Sequence, residues 1–119
     1  MKKTVVAGAG PDPTRYSHRA VLSLRKAGHE TVPVGLHEGE IDGLTIRTDF
    51  PPVENVHTVS LYVHPRHQGR WRDYILSLHP KRVIFNPGAE NPESIRAFEA
   101  EGINCEQSCT LVMLSVGTY

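Results

Sequence analysis

Only two cysteines occur in the chain, Cys105 and Cys109, so no disulfide framework can brace it. Four residues apart, they also miss the spacing of a Cys-x-x-Cys redox pair and read as packing thiols suited to a reducing compartment. An excess of either charge is missing too: thirteen Lys and Arg stand against thirteen Asp and Glu, for a formal net charge of zero. Binders of polyanions ordinarily carry a basic excess, which argues against nucleic acid and against an anionic membrane surface as partners. No apolar run approaches the ~20 residues of a spanning helix. The opening Met1-Lys2-Lys3 imitates a secretory signal, but its apolar part stops at Gly8, far too early. A cytoplasmic protein is expected. Catalytic signatures are lacking as well, with no Gly-x-Ser-x-Gly and no identifiable acid, base or nucleophile.

What is present suits an ordinary globular fold: 119 residues, 39% hydrophobic and 22% charged, which is room for one domain over 1–119. Residues 3–8 form a short continuous apolar run, as a buried parallel strand should. Residues 30–35, 57–63, 82–85 and 103–105 read as further strands, and 44–47 as a short one. Pro33 argues for a strand end or a locally unpaired position. Between the strands, Ala20, Val21, Leu24 and Ala27 recur at helical spacing, and Gly28 stops the helix. Trp71, Tyr74, Ile75 and Leu78 make a second amphipathic helix, read as core. Asn91-Pro92-Glu93 is a helix start, with Ile95 and Phe98 as its apolar face, and 110–116 closes the chain as a last helix. Residues 36–56 resist assignment beyond that short strand and a turn at Ile41-Asp42-Gly43 before it. Alternation of strand and helix, interrupted only by the short strand, predicts an α/β fold: a doubly wound, mostly parallel sheet of five or six strands with helices on both faces. Its strand-to-helix loops then share the carboxyl edge, where open α/β sheets bind ligands.

The first such loop, Gly8-Ala9-Gly10-Pro11-Asp12-Pro13-Thr14-Arg15-Tyr16-Ser17, carries the strongest signal. Glycines let backbone approach a phosphate, the following helix offers free N–H groups, Arg15 adds a cation and Ser17 a hydroxyl. A dinucleotide fingerprint would want a third glycine where Pro13 stands, and glycines equally serve any tight turn after a strand. Both readings of the loop stay open on spacing alone. An NAD site also wants an acid at the end of the second strand, and the first one here is Glu38. Seven histidines raise the question of a metal, yet only His64-Pro65-Arg66-His67 has ligand spacing and no second pair completes it. Those histidines read as solvent-facing or ligand-contacting.

Val5-Val6-Ala7-Gly8-Ala9-Gly10-Pro11-Asp12-Pro13, followed by Tyr16-Ser17, resembles the CoA-binding domain family. Its small members are single Rossmann-like domains similar to the N-terminal domain of the succinyl-CoA synthetase α-subunit. Val32-Pro33-Val34, Asn86-Pro87-Gly88-Ala89-Glu90-Asn91, Glu101-Gly102-Ile103 and Cys109 before Leu111-Val112-Met113 extend the likeness along the chain, in order. The resemblance implies a site for CoA or an acyl-CoA, without a catalytic role. Gly8, Ala9, Gly10, Pro11, Arg15, Tyr16 and Ser17 would take the pyrophosphate, and Val34, Gly35 and His37 the adenosine. His64 and Pro65, with Asn86, Pro87 and Gly88, would line the pantetheine side. Two departures bear on this. Ala9-Gly10 replaces the family's usual Ala-Ser, and its Asn-Pro-Lys after the second strand is here Gly35-Leu36-His37. His37 is then the nearest substitute for the lysine that would hold the 3′-phosphate. An NAD-linked or acyl-CoA-using enzyme, a protein-interaction module and a homo-oligomer all stay open at this point.

Overall fold

The computed structural model describes residues 1–119. Strand β1 (Thr4–Ala7) leads to helix α1 (Tyr16–Lys26) and strand β2 (Thr31–Val34). A hairpin of β3 (Glu40–Ile41) and β4 (Leu44–Thr45) follows, then β5 (Thr58–Leu61). One 3₁₀ turn, Pro65–His67, introduces α2 (Gln68–Leu78). Strand β6 (Arg82–Phe85), helix α3 (Pro92–Ala100), strand β7 (Asn104–Gln107) and helix α4 (Thr110–Val116) complete the chain. The main sheet has the order β2-β1-β5-β6-β7 and every pairing in it is parallel. This is the doubly wound architecture that the alternation predicts, with five strands.

Register explains why the strands read as unbroken apolar runs. Val5, Val59 and Val83 lie side by side, as do Val6, Ser60 and Ile84 one step along. Because strand side chains alternate, the first row faces one side of the sheet and the second the other. Val5, Val59, Val83, Leu61 and Phe85 pack against Trp71, Tyr74, Ile75 and Leu78 of α2 and Phe98 of α3. Val6 and Ile84 meet Val21 and Leu24 of α1 and Met113 of α4. Both faces are buried. On the second face the polar Ser60 is accommodated by a 2.8 Å hydrogen bond to the Thr110 hydroxyl.

Several boundaries differ from the sequence expectation for identifiable reasons. Helix α1 begins at Tyr16, four residues before its apolar stripe, because the side chains of its first turn are polar or, like Tyr16, exposed. Strand β7 runs on to Gln107; at the sheet edge its side chains need not be apolar. The expected strand at 44–47 divides. Asp42 and Gly43 both take positive φ, closing a tight hairpin that pairs Leu44 with Ile41, while Arg47 bridges to Val34. Pro33 keeps its place inside β2 because that strand is an edge of the main sheet: its carbonyl points outward, accepting from Arg47 N–H, so the missing N–H breaks no ladder. The 36–56 segment ends as a cover for α2. Phe50 packs on Trp71 and Tyr74 at 4.8 and 5.2 Å, and the Tyr74 hydroxyl donates to the Pro51 carbonyl.

At the amino edge of the sheet, His29 and His57 both sit half-buried against polar partners. The Lys2 N–H donates to His29 Nδ1, and Thr58 Oγ1, which accepts from Arg82, lies 2.7 Å from His57 Nδ1. Burial, with the positive charge of Lys2 and Arg82 nearby, pushes both histidines below their ordinary value. The native state therefore binds fewer protons than the unfolded chain once pH falls below about 6.5. Stability is fully present above that pH and drains away as pH drops through the depressed values. Melting temperature should fall between pH 7.5 and 5.5, and His29→Asn with His57→Asn, which keep an acceptor, should flatten the profile. No helix is long and apolar enough to cross a membrane.

Candidate functional site

From β1 the chain winds through α1 to β2 on one side, and from β5 through α2 to β6 and β7 on the other. The two halves part between the carboxyl ends of β1 and β5, where loops diverge and leave a crevice. A cavity of about 450 Å³ occupies this point. One wall is formed by Gly8, Ala9, Gly10, Pro11, Asp12, Arg15, Tyr16 and Ser17; Leu36 and His37 come from just past the end of β2. Tyr62, Val63, His64, His67 and Trp71 form the opposite wall.

Close packing of backbone builds the loop. Gly8 and Ala9 both donate to the Val34 carbonyl, at 2.9 and 3.0 Å, which ties the loop to the end of β2. Gly8 has φ +93°, and a Cβ on it would stand 2.6 Å from the Tyr62 carbonyl oxygen. The fold itself demands that glycine. Gly10 is different: its φ is not in the left-handed region and a Cβ there would meet no protein atom within 4 Å. Past it, Asp12 accepts from the Thr14 N–H and hydroxyl, at 2.9 and 2.7 Å. Those bonds, more than Arg15 at 3.9 Å, hold its carboxyl below the usual range.

Helix α1 then starts without a cap. Arg15 occupies the N-cap position but makes no side-chain cap bond, and no acid stands in the first turn. The leading N–H groups of the helix have no intrahelical acceptor and lie against the cavity. Helix α3 shows the contrast: Asn91 accepts from the N–H groups of Glu93 and Ser94, and Glu93 adds negative charge. An end like that of α1 favours an anion, by about 0.3–1 kcal/mol. Two large apolar side chains stand exposed at the rim, Tyr16 at 65% and Leu36 at 58%. Tyr62 is half-buried, its hydroxyl out of reach of solvent and without a hydrogen-bond partner, and burial pushes its phenol up to about 12.

Nine of the fifteen residues singled out in the sequence line this cavity: Gly8, Ala9, Gly10, Pro11, Arg15, Tyr16, Ser17, His37 and His64. The other six stand outside it. Val34 is wholly buried in the core, Gly35 passes under Ala9, and Pro65 opens the 3₁₀ turn beside His64. Pro87 and Gly88 are exposed beyond β6, where the Glu90 carboxylate accepts from the Gly88 N–H. Asn86 is fully buried and serves the scaffold. Its Nδ2 donates to Ser60 Oγ and the Leu61 carbonyl, each at 3.0 Å, and its Oδ1 accepts from Thr110 N–H at 2.8 Å. Trp71 lines the cavity although it reads as core, since one indole can face both. His67 carried a signal in its spacing from His64; Leu36, Tyr62 and Val63 carried none.

A parallel sheet wound both ways from a glycine-bearing first loop, with an uncapped helix at the switch point, defines a Rossmann-like nucleotide-binding architecture. Residues 2–115 match the CoA binding domain family, and the chain belongs to it. A crystal structure of an uncharacterized protein is 50% identical, with a TM-score of 0.98 over 100% of this chain and 98% of that one. A hypothetical protein from Pyrococcus horikoshii OT3 is 20% identical, with a TM-score of 0.87 over 97% of this chain and 82% of its own. A protein from Thermus thermophilus, at 22% identity and TM-score 0.83, is covered to 91% by 99% of this chain. The last two share the fold. No curated protein matches the chain.

Proposed function

We propose that this chain binds CoA or an acyl-CoA in the crevice between β1 and β5, as a small cytoplasmic cofactor-binding protein with no catalytic step of its own. One observation carries the reading: the uncapped, acid-free start of α1 faces the same cavity as Gly10, the loop glycine that the protein's own packing does not require. The diphosphate takes the free N–H groups of α1 with Arg15 beside it. Tyr16 and Leu36 supply apolar contact at the rim.

A thermal-shift panel of CoA, acetyl-CoA, NAD, NADP and ATP tests this directly. Ligand at ~100 times its dissociation constant adds about 2.7 kcal/mol, or roughly 10 °C for a domain of this size. CoA and acetyl-CoA should raise the melting temperature and the other three should not. A shift with NAD alone would mean an oxidoreductase-type site, and no shift at all would leave an interaction module. Gly10→Val should weaken CoA at least tenfold, about 1.4 kcal/mol, by blocking backbone approach while leaving the apo melting temperature unchanged. Arg15→Ala should cost threefold to tenfold at low salt, with less effect as salt rises. Equal affinities for both variants and the parent, measured calorimetrically, would remove this loop from the site.

A further inference from the structure

Five charged or titratable side chains besides the tyrosines line the cavity, and three of them are histidines drawn from two loops. Asp12 and Arg15 come from the first loop and cancel in formal charge, with their groups 3.9 Å apart. His37 follows β2; His64 and His67 follow β5, their rings 6.3 Å apart. With neutral imidazoles the lining therefore has no net charge to offer a diphosphate. With protonated ones it offers up to three positive charges. We propose that protonation of His37, His64 and His67 sets the cavity's affinity for its anionic ligand, so that binding takes up protons and tightens as pH falls from 8 to 6. This rests on the CoA reading above.

Histidine is the side chain whose ordinary titration falls in this window. The surroundings leave the histidines as the variable charge. From α1, Tyr16 is a phenol and His18 lies near Asp12. Glu38 and Glu40 follow His37 along the chain but border a separate surface hollow with Arg47 and Asp49. From α2, Arg70 places its guanidinium 4.2 Å from the centre of the Phe50 ring, and Arg66 lies in the turn between the two histidines. The Tyr62 phenol, pushed up to about 12, stays neutral throughout. His64 already commits Nδ1 to the Arg66 N–H, which leaves Nε2 as the atom to gain a proton and donate. A metal has no equivalent claim on the pair, since no three His, Cys, Asp or Glu side chains converge.

Dephospho-CoA is the probe, because its diphosphate keeps both charges from pH 6 to 8, whereas a phosphate monoester would itself titrate. Calorimetry at pH 6.0 and 8.0 should give a dissociation constant at least tenfold smaller at pH 6.0. By linkage, that corresponds to about half a proton taken up on average over the two pH units. Titrations in buffers of different ionisation enthalpy should show the same uptake. In a combined His37→Gln, His64→Asn, His67→Gln variant, where Asn keeps the cap on Arg66, the pH effect should shrink below threefold. Binding with one affinity at both pH values, or a full pH effect surviving in the triple variant, overturns the inference and leaves the CoA reading intact. No binding at either pH in the parent protein overturns both.

Discussion

Gly35→Ala should be among the most damaging single-methyl additions in this protein, lowering stability by about 3 kcal/mol and CoA affinity more than tenfold. A Cβ on Gly35 would stand 1.9 Å from the Ala9 carbonyl oxygen. That neighbour is backbone, so no rotamer change can relieve the contact. Either the loop or the end of β2 must move by more than an ångström, and both are tied. Gly8 and Ala9 donate to Val34, and Gly35 itself donates to the Arg47 carbonyl at 3.0 Å. Displacing Ala9 carries Gly10 and the start of α1 with it, which is why binding should suffer beyond the loss of stability. Gly69→Ala is the matched control. It lies in α2 with nothing within 4 Å of an added Cβ, so alanine there should be neutral or stabilising, by up to about 1 kcal/mol. Chemical denaturation reads both. A Gly35→Ala protein as stable as its parent would mean that the loop yields freely and that its path is not set by this contact.

The same glycine shows where sequence reasoning reaches its limit. Strands β1, β5 and β6 were legible because burial on both faces demands consecutive apolar residues, and a short Val-rich run has few other uses. Helices α1 and α2 were legible through their stripes. The carboxyl edge followed from topology alone. What stayed hidden depends on contacts between segments far apart in the chain. Nothing near Gly35 announces that Ala9 packs directly against it, and nothing near Phe50 announces Trp71 and Tyr74. Leu36 and Tyr62 reach the cavity only because β2 and β5 flank β1. Resemblance to a family supplied Asn86 as a cofactor contact. The fold ties that side chain to Ser60, Leu61 and Thr110.

Replacing Asn86 by alanine should therefore cost stability, about 2–4 kcal/mol, and leave affinity for CoA within threefold of the parent. The side chain caps α4 from outside the helix. Cys109 makes no side-chain bond at the N-cap, so the Thr110 N–H relies on Asn86 Oδ1 at 2.8 Å. Both residues are fully buried, so water cannot take over when the amide is removed. An orphaned buried N–H costs about 1–3 kcal/mol, and the cavity left by the amide adds to it. Ser60 loses a donor as well, though it keeps the Thr110 hydroxyl. Asn86→Asp should be no better, because one carboxylate oxygen could still accept from Thr110 while the other would face the Leu61 carbonyl as an acceptor against an acceptor. The cavity meanwhile is lined from the loops after β1, β2 and β5 and from α1 and α2, with no contribution from β6 or the loop after it. Melting and calorimetry on the same sample separate the two effects. A folded Asn86→Ala protein that binds CoA more than tenfold more weakly would extend the site across β5 to the end of β6, and would place the pantetheine arm where the family resemblance first put it.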